Sequence, residues 1–192
     1  MKLFLLIFLY YFVNIQAEYN GFNFFPFNST ALSMLDTLNS LKTIAALGSN
    51  WIGIDFILGQ DSNISNEVYF EERTPTKNVW STFVQEAHKY NLSVLLKPLI
   101  LCGGDCIFIN IIPSNITNWF SSYGQVIYNL SVMAEELHIE ALAVGLELIQ
   151  ISNQEYTPYW RTLTENINKT GINKALMPYL YSAINLMQNM IA

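Results

Sequence analysis

Strand-like and helix-like segments alternate along the whole of this chain, and that order restricts its fold more than any other feature. Apolar strand-like runs at residues 19–25, 51–58, 92–100 and 139–149 are separated by helix-like segments at 30–47, 79–90, 119–137 and 156–167. In the first helical segment Leu32, Leu35, Leu38, Leu41 and Ala45 form one stripe, closed by Gly48. A fifth strand is predicted at 175–184, weakened by Pro178. Near-continuous apolar strands joined by helices imply a parallel sheet covered by helices.

Alternation inside the strands carries more information. In the fourth strand Leu142, Val144, Leu146 and Leu148 share one face, and Ala141, Ala143, Gly145 and Glu147 the other. In the third, Leu92, Val94 and Leu96 oppose Ser93, Leu95 and Lys97; in the second, Ile52, Ile54 and Phe56 oppose Trp51, Gly53 and Asp55. One face is large and aliphatic, suited to packing on helices. The other is small until a polar residue appears towards the C-terminal end. Long loops follow the strands, at 59–77 and 101–114, whereas helix-to-strand connections are short. The pattern predicts an α/β fold, a partial TIM (β/α)8 barrel of about four to five βα units, whose function lies at the C-terminal ends of the strands. A doubly wound sheet is the alternative, but no Gly-x-Gly-x-x-Gly opens a helix to support nucleotide binding.

The compartment is written at the start of the chain. Lys2 precedes an unbroken apolar run over residues 3–13 and then Asn14-Ile15-Gln16-Ala17, the pattern of a secretory signal peptide cleaved after Ala17. The apolar core is about half the ~20 residues a spanning helix needs, so no stable membrane span is expected. Residues 18–192 then form one domain, destined for the extracellular space or a secretory-lysosomal lumen. Six Asn-X-Ser/Thr sequons, at Asn28, Asn63, Asn91, Asn115, Asn129 and Asn168, fit a glycoprotein. Asn91, at the mouth of a predicted strand, is expected to be too enclosed for modification. The two cysteines, Cys102 and Cys106, flank Gly-Gly-Asp, a spacing that in an oxidising compartment predicts a small disulfide loop. A zinc site lacks a second cysteine pair or a nearby His to complete four ligands. A net charge of −6 without any Lys/Arg cluster argues against nucleic-acid binding. Apolar content of 52% argues against disorder.

Glu147 is the leading candidate for chemistry. It follows a run of small residues on the inward parity of the fourth strand, near its C-terminal end. Partial desolvation there favours a protonated carboxyl, as a general acid requires. A structural ion pair is the alternative role. Lys97 points inward by the same parity and can bind a substrate hydroxyl or pair with Asp55 or Glu147. A desolvated lysine can also form a Schiff base, which would make the chain a lyase. Asp55 is a second candidate carboxylate at the mouth. Trp51 and Trp119 are candidates for stacking on sugar rings, with a core role as the alternative. His88, on a helix, and His138, at the start of the fourth strand, read as structural. Arg73-Thr74-Pro75 is placed to shape a cleft.

Four stretches resemble, in order and spacing, the mannanase-type family within the clan of retaining β/α-barrel glycosidases. They are Gly48-Ser49-Asn50-Trp51-Ile52, Val94-Leu95-Leu96-Lys97-Pro98, Ile112-Pro113-Ser114 with Trp119-Phe120-Ser121-Ser122-Tyr123, and Val144-Gly145-Leu146-Glu147-Leu148. The resemblance runs over roughly residues 20–184. It implies a retaining glycosyl hydrolase acting on a β-linked polysaccharide or oligosaccharide such as a mannan, with Glu147 as acid/base and Lys97 in the substrate cleft. No metal or organic cofactor is expected of this mechanism. Retention needs a second carboxylate about 5–5.5 Å away. In the family that residue lies on a late strand, and this chain stops near the fifth. The expectation is therefore a truncated or fragmentary copy carrying the N-terminal part of the barrel. Leu146 also departs from the clan, where many enzymes have Asn before the catalytic Glu. A catalytically silent, carbohydrate-binding glycoprotein is the rival expectation.

Overall fold

The computed structural model describes residues 19–103, 108–169, 175 and 176. Within them, β1 (Gly21–Phe24), β2 (Trp51–Gln60), β4 (Ser93–Cys102), β5 (Ala141–Ala143) and β6 (Ala175–Leu176) run parallel in the order β1-β2-β4-β5-β6. The two-residue β3 (Tyr69–Phe70) pairs antiparallel with β2, Gly59 opposite Tyr69. Helices α1 (Leu35–Ala46), α2 (Lys77–Lys89), α3 (Ile116–Glu136) and α4 (Thr157–Asn168) connect the parallel strands. The leader read at residues 1–17 and most of the strand predicted at 175–184 lie outside the described residues. No helix among the described residues is long and apolar enough to cross a membrane.

The strand order decides between the two parallel architectures. Each crossover moves one strand further in the same direction, and crossovers are right-handed, so every helix falls on the same face of the sheet. A doubly wound sheet needs a reversal of strand order. None occurs among the described strands, and the sheet is that of a partial (β/α)8 barrel.

Packing follows the parity read from the sequence. Ile52, Ile54, Phe56 and Leu58 of β2 and Val94, Leu96 and Ile100 of β4 are buried in one core. Trp80, Phe83, Val84 and Ala87 of α2 join them, with Trp119, Tyr123, Ile127 and Leu130 of α3. Burying each large apolar side chain contributes about 1.5–3 kcal/mol. On the opposite face of β4, Ser93, Leu95, Lys97, Leu99 and Leu101 are only half-buried.

Trp119 belongs to the core, contrary to its candidacy as a sugar platform. It is fully buried, stacks on Tyr123 with ring centroids 4.7 Å apart, and donates its indole N–H to Gln60 Oε1 at 2.8 Å. The cause is its place on the inward stripe of α3, with Tyr123, Val126, Ile127 and Leu130.

Three helices end alike. Gly48 after α1, Asn91 after α2 and His138 after α3 have φ of 88°, 57° and 58°. The residue that follows returns a backbone hydrogen bond to the helix: Ser49 to Ile44, Leu92 to Ala87, Ile139 to Ala134. This left-handed closure satisfies the last carbonyls and turns the chain into the next strand. Asn91 is consequently solvent-exposed rather than enclosed, because its side chain leaves a helix end instead of entering the sheet.

Two boundaries moved. The helix expected from residue 30 begins at Leu35, because residues 31–33 form a 3-10 turn and Met34 is extended. The strand expected over 139–149 keeps ladder pairing only at Ala141–Ala143. Beyond it, side chains replace the ladder as partners: Tyr123 Oη donates to the Val144 carbonyl at 3.0 Å, and Ser152 Oγ to that of Leu148.

Two outcomes follow for stability, both measured by denaturant unfolding. Trp119→Ala lowers it by about 3–5 kcal/mol, the cost of emptying a packed aromatic site; a loss within experimental error would return Trp119 to the surface. His138→Gly raises it by about 1 kcal/mol, because glycine takes left-handed φ without a Cβ penalty.

Candidate active site

Functional groups of a β/α-barrel gather where its strands end. Glu147 lies there, four residues beyond the last ladder residue of β5. Its side chain is half-buried and forms no hydrogen bond or ion pair with the described residues. Its backbone has φ 58°. Asn91 and His138 owe their positive φ to helix closure, but Glu147 ends no helix. A non-glycine residue held left-handed costs about 1–2 kcal/mol, and such strain persists only where the surroundings enforce it. Here they do: the Val144 carbonyl is held by buried Tyr123, whose phenol burial pushes above its usual range, and Leu148 is buried with its carbonyl held by Ser152. The carboxyl is thus presented from a fixed backbone with its oxygens unpaired among the described residues.

Asp55 and Lys97 are direct register partners on β2 and β4, and Lys97 Nζ sits 2.7 Å from Asp55 Oδ1. Their side chains are 21% and 17% exposed, on the inward face. Gly53 opens the space beside them. A Cβ at Gly53 would lie 2.2 Å from Asn23 Oδ1 and 3.5 Å from Lys97 Cδ, so only glycine lets both polar side chains turn inward. The pairing Leu95–Ala141 sets Lys97 level with Ala143, below Glu147 along the barrel. Lys97 therefore pairs with Asp55 and leaves the Glu147 carboxyl free. An ammonium held against a carboxylate has no lone pair to attack a carbonyl, which counts against Schiff-base chemistry.

Trp51 is inward-facing but at the wrong end. It is the first residue of β2, tilts against Tyr19 with centroids 5.2 Å apart, and lines a hollow with Phe22, Gly53 and Leu95. As the first residue of a parallel strand it sits at the N-terminal end of the barrel, a position its parity alone does not report. His88 Nε2 approaches Glu140 Oε1 at 3.1 Å, and Glu140 Oε2 accepts from the Val94 N–H at 2.7 Å. This contact braces the same N-terminal end.

The loops at the mouth are tied to one another. Ile112 N–H donates to the Asn63 carbonyl at 2.7 Å, Ser114 N–H to that of Ile64 at 2.9 Å, and Asn115 N–H to Asn66 Oδ1 at 2.7 Å. Thr74 Oγ1 donates to the Ile57 carbonyl at 2.8 Å and Arg73 pairs with Glu71 at 2.8 Å, so the Arg73-Thr74-Pro75 segment is pinned to β2. Cys102, the last residue of β4, is disulfide-bonded; Cys106 lies outside the described residues. Of the sequon asparagines, Asn28, Asn91, Asn115, Asn129 and Asn168 are exposed and Asn63 is half-buried.

Sequence reasoning missed Tyr69 and Asp61. Cross-strand pairing puts the Tyr69 side chain on the face of Gly59, which is the inward face of β2 at its C-terminal end. Its hydroxyl donates to Asp61 Oδ1 at 2.8 Å, and this hydrogen bond above all holds the phenol above its ordinary range. A two-residue strand inside a polar loop leaves no periodic signal to find. Among the described residues no group of three or more His, Cys, Asp or Glu is placed to hold a metal ion.

Known structures share this fold. A β-1,4-mannanase of Glycoside Hydrolase Family 113, in a complex, superposes with a TM-score of 0.70 at 20% identity, over 80% of this chain and 53% of that one. The family's β-mannanase AaManA from Alicyclobacillus acidocaldarius, in complex with ManMIm, gives 0.71 at 18% identity, over 83% and 53%. The exo-β-1,4-mannosidase Op5Man5 from Opitutaceae bacterium strain TAV5 gives 0.54 at 11%, over 83% and 31%. The chain thus spans about half the length of these mannanases. No curated protein matches it. The model of Glycoside Hydrolase Family 113 matches residues 25–172, from the end of the first strand past the fourth helix, and by that match the chain belongs to this family.

Proposed function

We propose that this chain carries the acid/base part of a secreted, retaining glycosidase site acting on β-linked mannan or a related β-glycan. The observation that supports it best is Glu147: a free, half-buried carboxyl at the mouth, on a backbone strained to φ 58° and anchored on both sides. In that role the protonated carboxyl donates its proton to the glycosidic oxygen as the bond breaks, and the carboxylate later takes a proton from the attacking water. Asp55 and Lys97 form the charged floor beneath, where the Lys97 ammonium and Asn23 amide can meet sugar hydroxyls. No nucleophile is assigned among the described residues. That the similar structures include β-1,4-mannanases supports mannan as the substrate class.

The test is hydrolysis of β-1,4-mannohexaose by the expressed chain and by Glu147→Gln. The substitution is expected to lower the rate by about 10²–10⁴-fold, the usual contribution of a positioned general acid. Equal, measurable rates would remove Glu147 from the mechanism. Binding without turnover by the unsubstituted chain would favour the carbohydrate-binding reading.

Secretion and glycosylation belong to the same proposal. They are supported by the apolar leader and by five exposed sequon asparagines. Expressed in a eukaryotic host, the chain is expected in the medium, with a mass that drops on peptide-N-glycosidase treatment. Recovery in the cytosol without glycan would overturn both.

A further inference from the structure

We propose that Tyr69 is a sugar-stacking residue at the barrel mouth, seated on Gly59 and oriented by Asp61. The inference rests on the glycosidase reading for its ligand class, a β-linked oligosaccharide, and adds a binding residue to that site.

Three observations carry it. The first is placement. β2 and β4 stay in unbroken register from Trp51–Ser93 to Gln60–Cys102, so the inward face that holds Asp55 and Lys97 reaches Gly59 without a slip. Tyr69 is paired with Gly59 and projects on that face. β3, β2, β4 and β5 are successive neighbours, and strands lie about 4.7–4.9 Å apart, so the backbone of Tyr69 and the end of β5 are about 14–15 Å apart across the mouth, with the Tyr69 ring leaning over β2. An oligosaccharide bridges such a span.

The second is the fit between ring and backbone. A Cβ on Gly59 would lie 2.3 Å from Tyr69 Cε2 and 2.8 Å from Cζ. The ring therefore lies directly on the glycine, one face against the backbone. Tyr69 is still 40% exposed. A rigid aromatic with one supported face and one open face loses little freedom on binding, which suits a stacking platform.

The third is polarity at the edge of the ring. The Tyr69 hydroxyl donates to Asp61 Oδ1, which fixes the ring, while Asp61 is exposed and its Oδ2 accepts no hydrogen bond from the described residues. A pyranose presents apolar C–H groups on its faces and hydroxyl donors at its rim. Ring face and carboxylate oxygen side by side match that arrangement, and a purely apolar ligand would leave the carboxylate unpaired.

The experiment is calorimetric titration of β-1,4-mannohexaose, cellohexaose and maltohexaose into the full chain and into Tyr69→Ala, Tyr69→Phe and Gly59→Ala, each checked for native circular dichroism. Tyr69→Ala is expected to weaken mannohexaose about tenfold, the worth of one good aromatic contact. Tyr69→Phe keeps the ring and loses less. Gly59→Ala pushes the ring aside and behaves like Tyr69→Ala, which supports the platform even if Tyr69→Ala fails to fold. Wild-type affinity in both Tyr69→Ala and Gly59→Ala overturns the platform and leaves the glycosidase reading standing. If only cellohexaose or maltohexaose binds, and these variants weaken it, the platform stands and the mannan assignment falls. If the folded chain binds no hexaose, the platform is overturned; hydrolysis measured beside it shows whether the glycosidase reading falls too.

Discussion

Ten consecutive pairs between β2 and β4, from Trp51–Ser93 to Gln60–Cys102, are the constraint on which the rest of the molecule depends. Side chains alternate with a period of two, so one unbroken register assigns every residue of both strands to the helix side or the inward side. Ile52, Ile54, Phe56 and Leu58 meet α2 and α3 through it. Asp55 and Lys97 meet each other through it. A slip of one residue would drive the ammonium and the carboxylate into the aliphatic core, where an unpaired charge is very costly, and would turn four large apolar residues towards the mouth. The aliphatic packing and the polar floor are therefore two consequences of one register.

Helix α3 links that core to the candidate site. Its inward stripe supplies Trp119 and Tyr123, which stack on one another in the core. Each also spends its one polar group on a strand end: the Trp119 indole on Gln60, the Tyr123 hydroxyl on the Val144 carbonyl. The second bond lies where β5 has left its ladder and a carbonyl needs a partner. Hydrophobic burial of one helix face thus fixes the backbone that presents Glu147. The left-handed φ of that residue is stable because the residues around it are held, Val144 by Tyr123 from a distant segment and Leu148 by the nearby Ser152.

Much of this was legible in the chain. The alternation of segments, the asymmetry of loop lengths and the parity of the strands pointed to a barrel-type sheet, and the singly progressing strand order agrees. Glu147 and Lys97 were placed on the inward side by counting residues. Counting could not choose between Asp55 and Glu147 as the partner of Lys97, because the choice depends on which residues of two strands stand level. Counting also put Trp51 first in its strand, hence at the N-terminal end away from the mouth, whereas it could not tell that the stripe of Trp119 faces the core. Tyr69 gave no signal, since its position depends on a two-residue pairing with a glycine ten residues earlier in the chain.

By itself the sequence determined whatever local spacing controls: where strands and helices form, which face of each is apolar, and which polar side chains share the inward parity. Tertiary structure alone decided the pairing of Asp55 with Lys97, the burial of Trp119 on Gln60, the seat of Tyr69 on Gly59 and the strained backbone of Glu147. Each of these is a contact between segments far apart in the chain, or is enforced by one. Periodicity reports how a segment meets an average apolar environment, whereas register and strain exist only once particular partners have met.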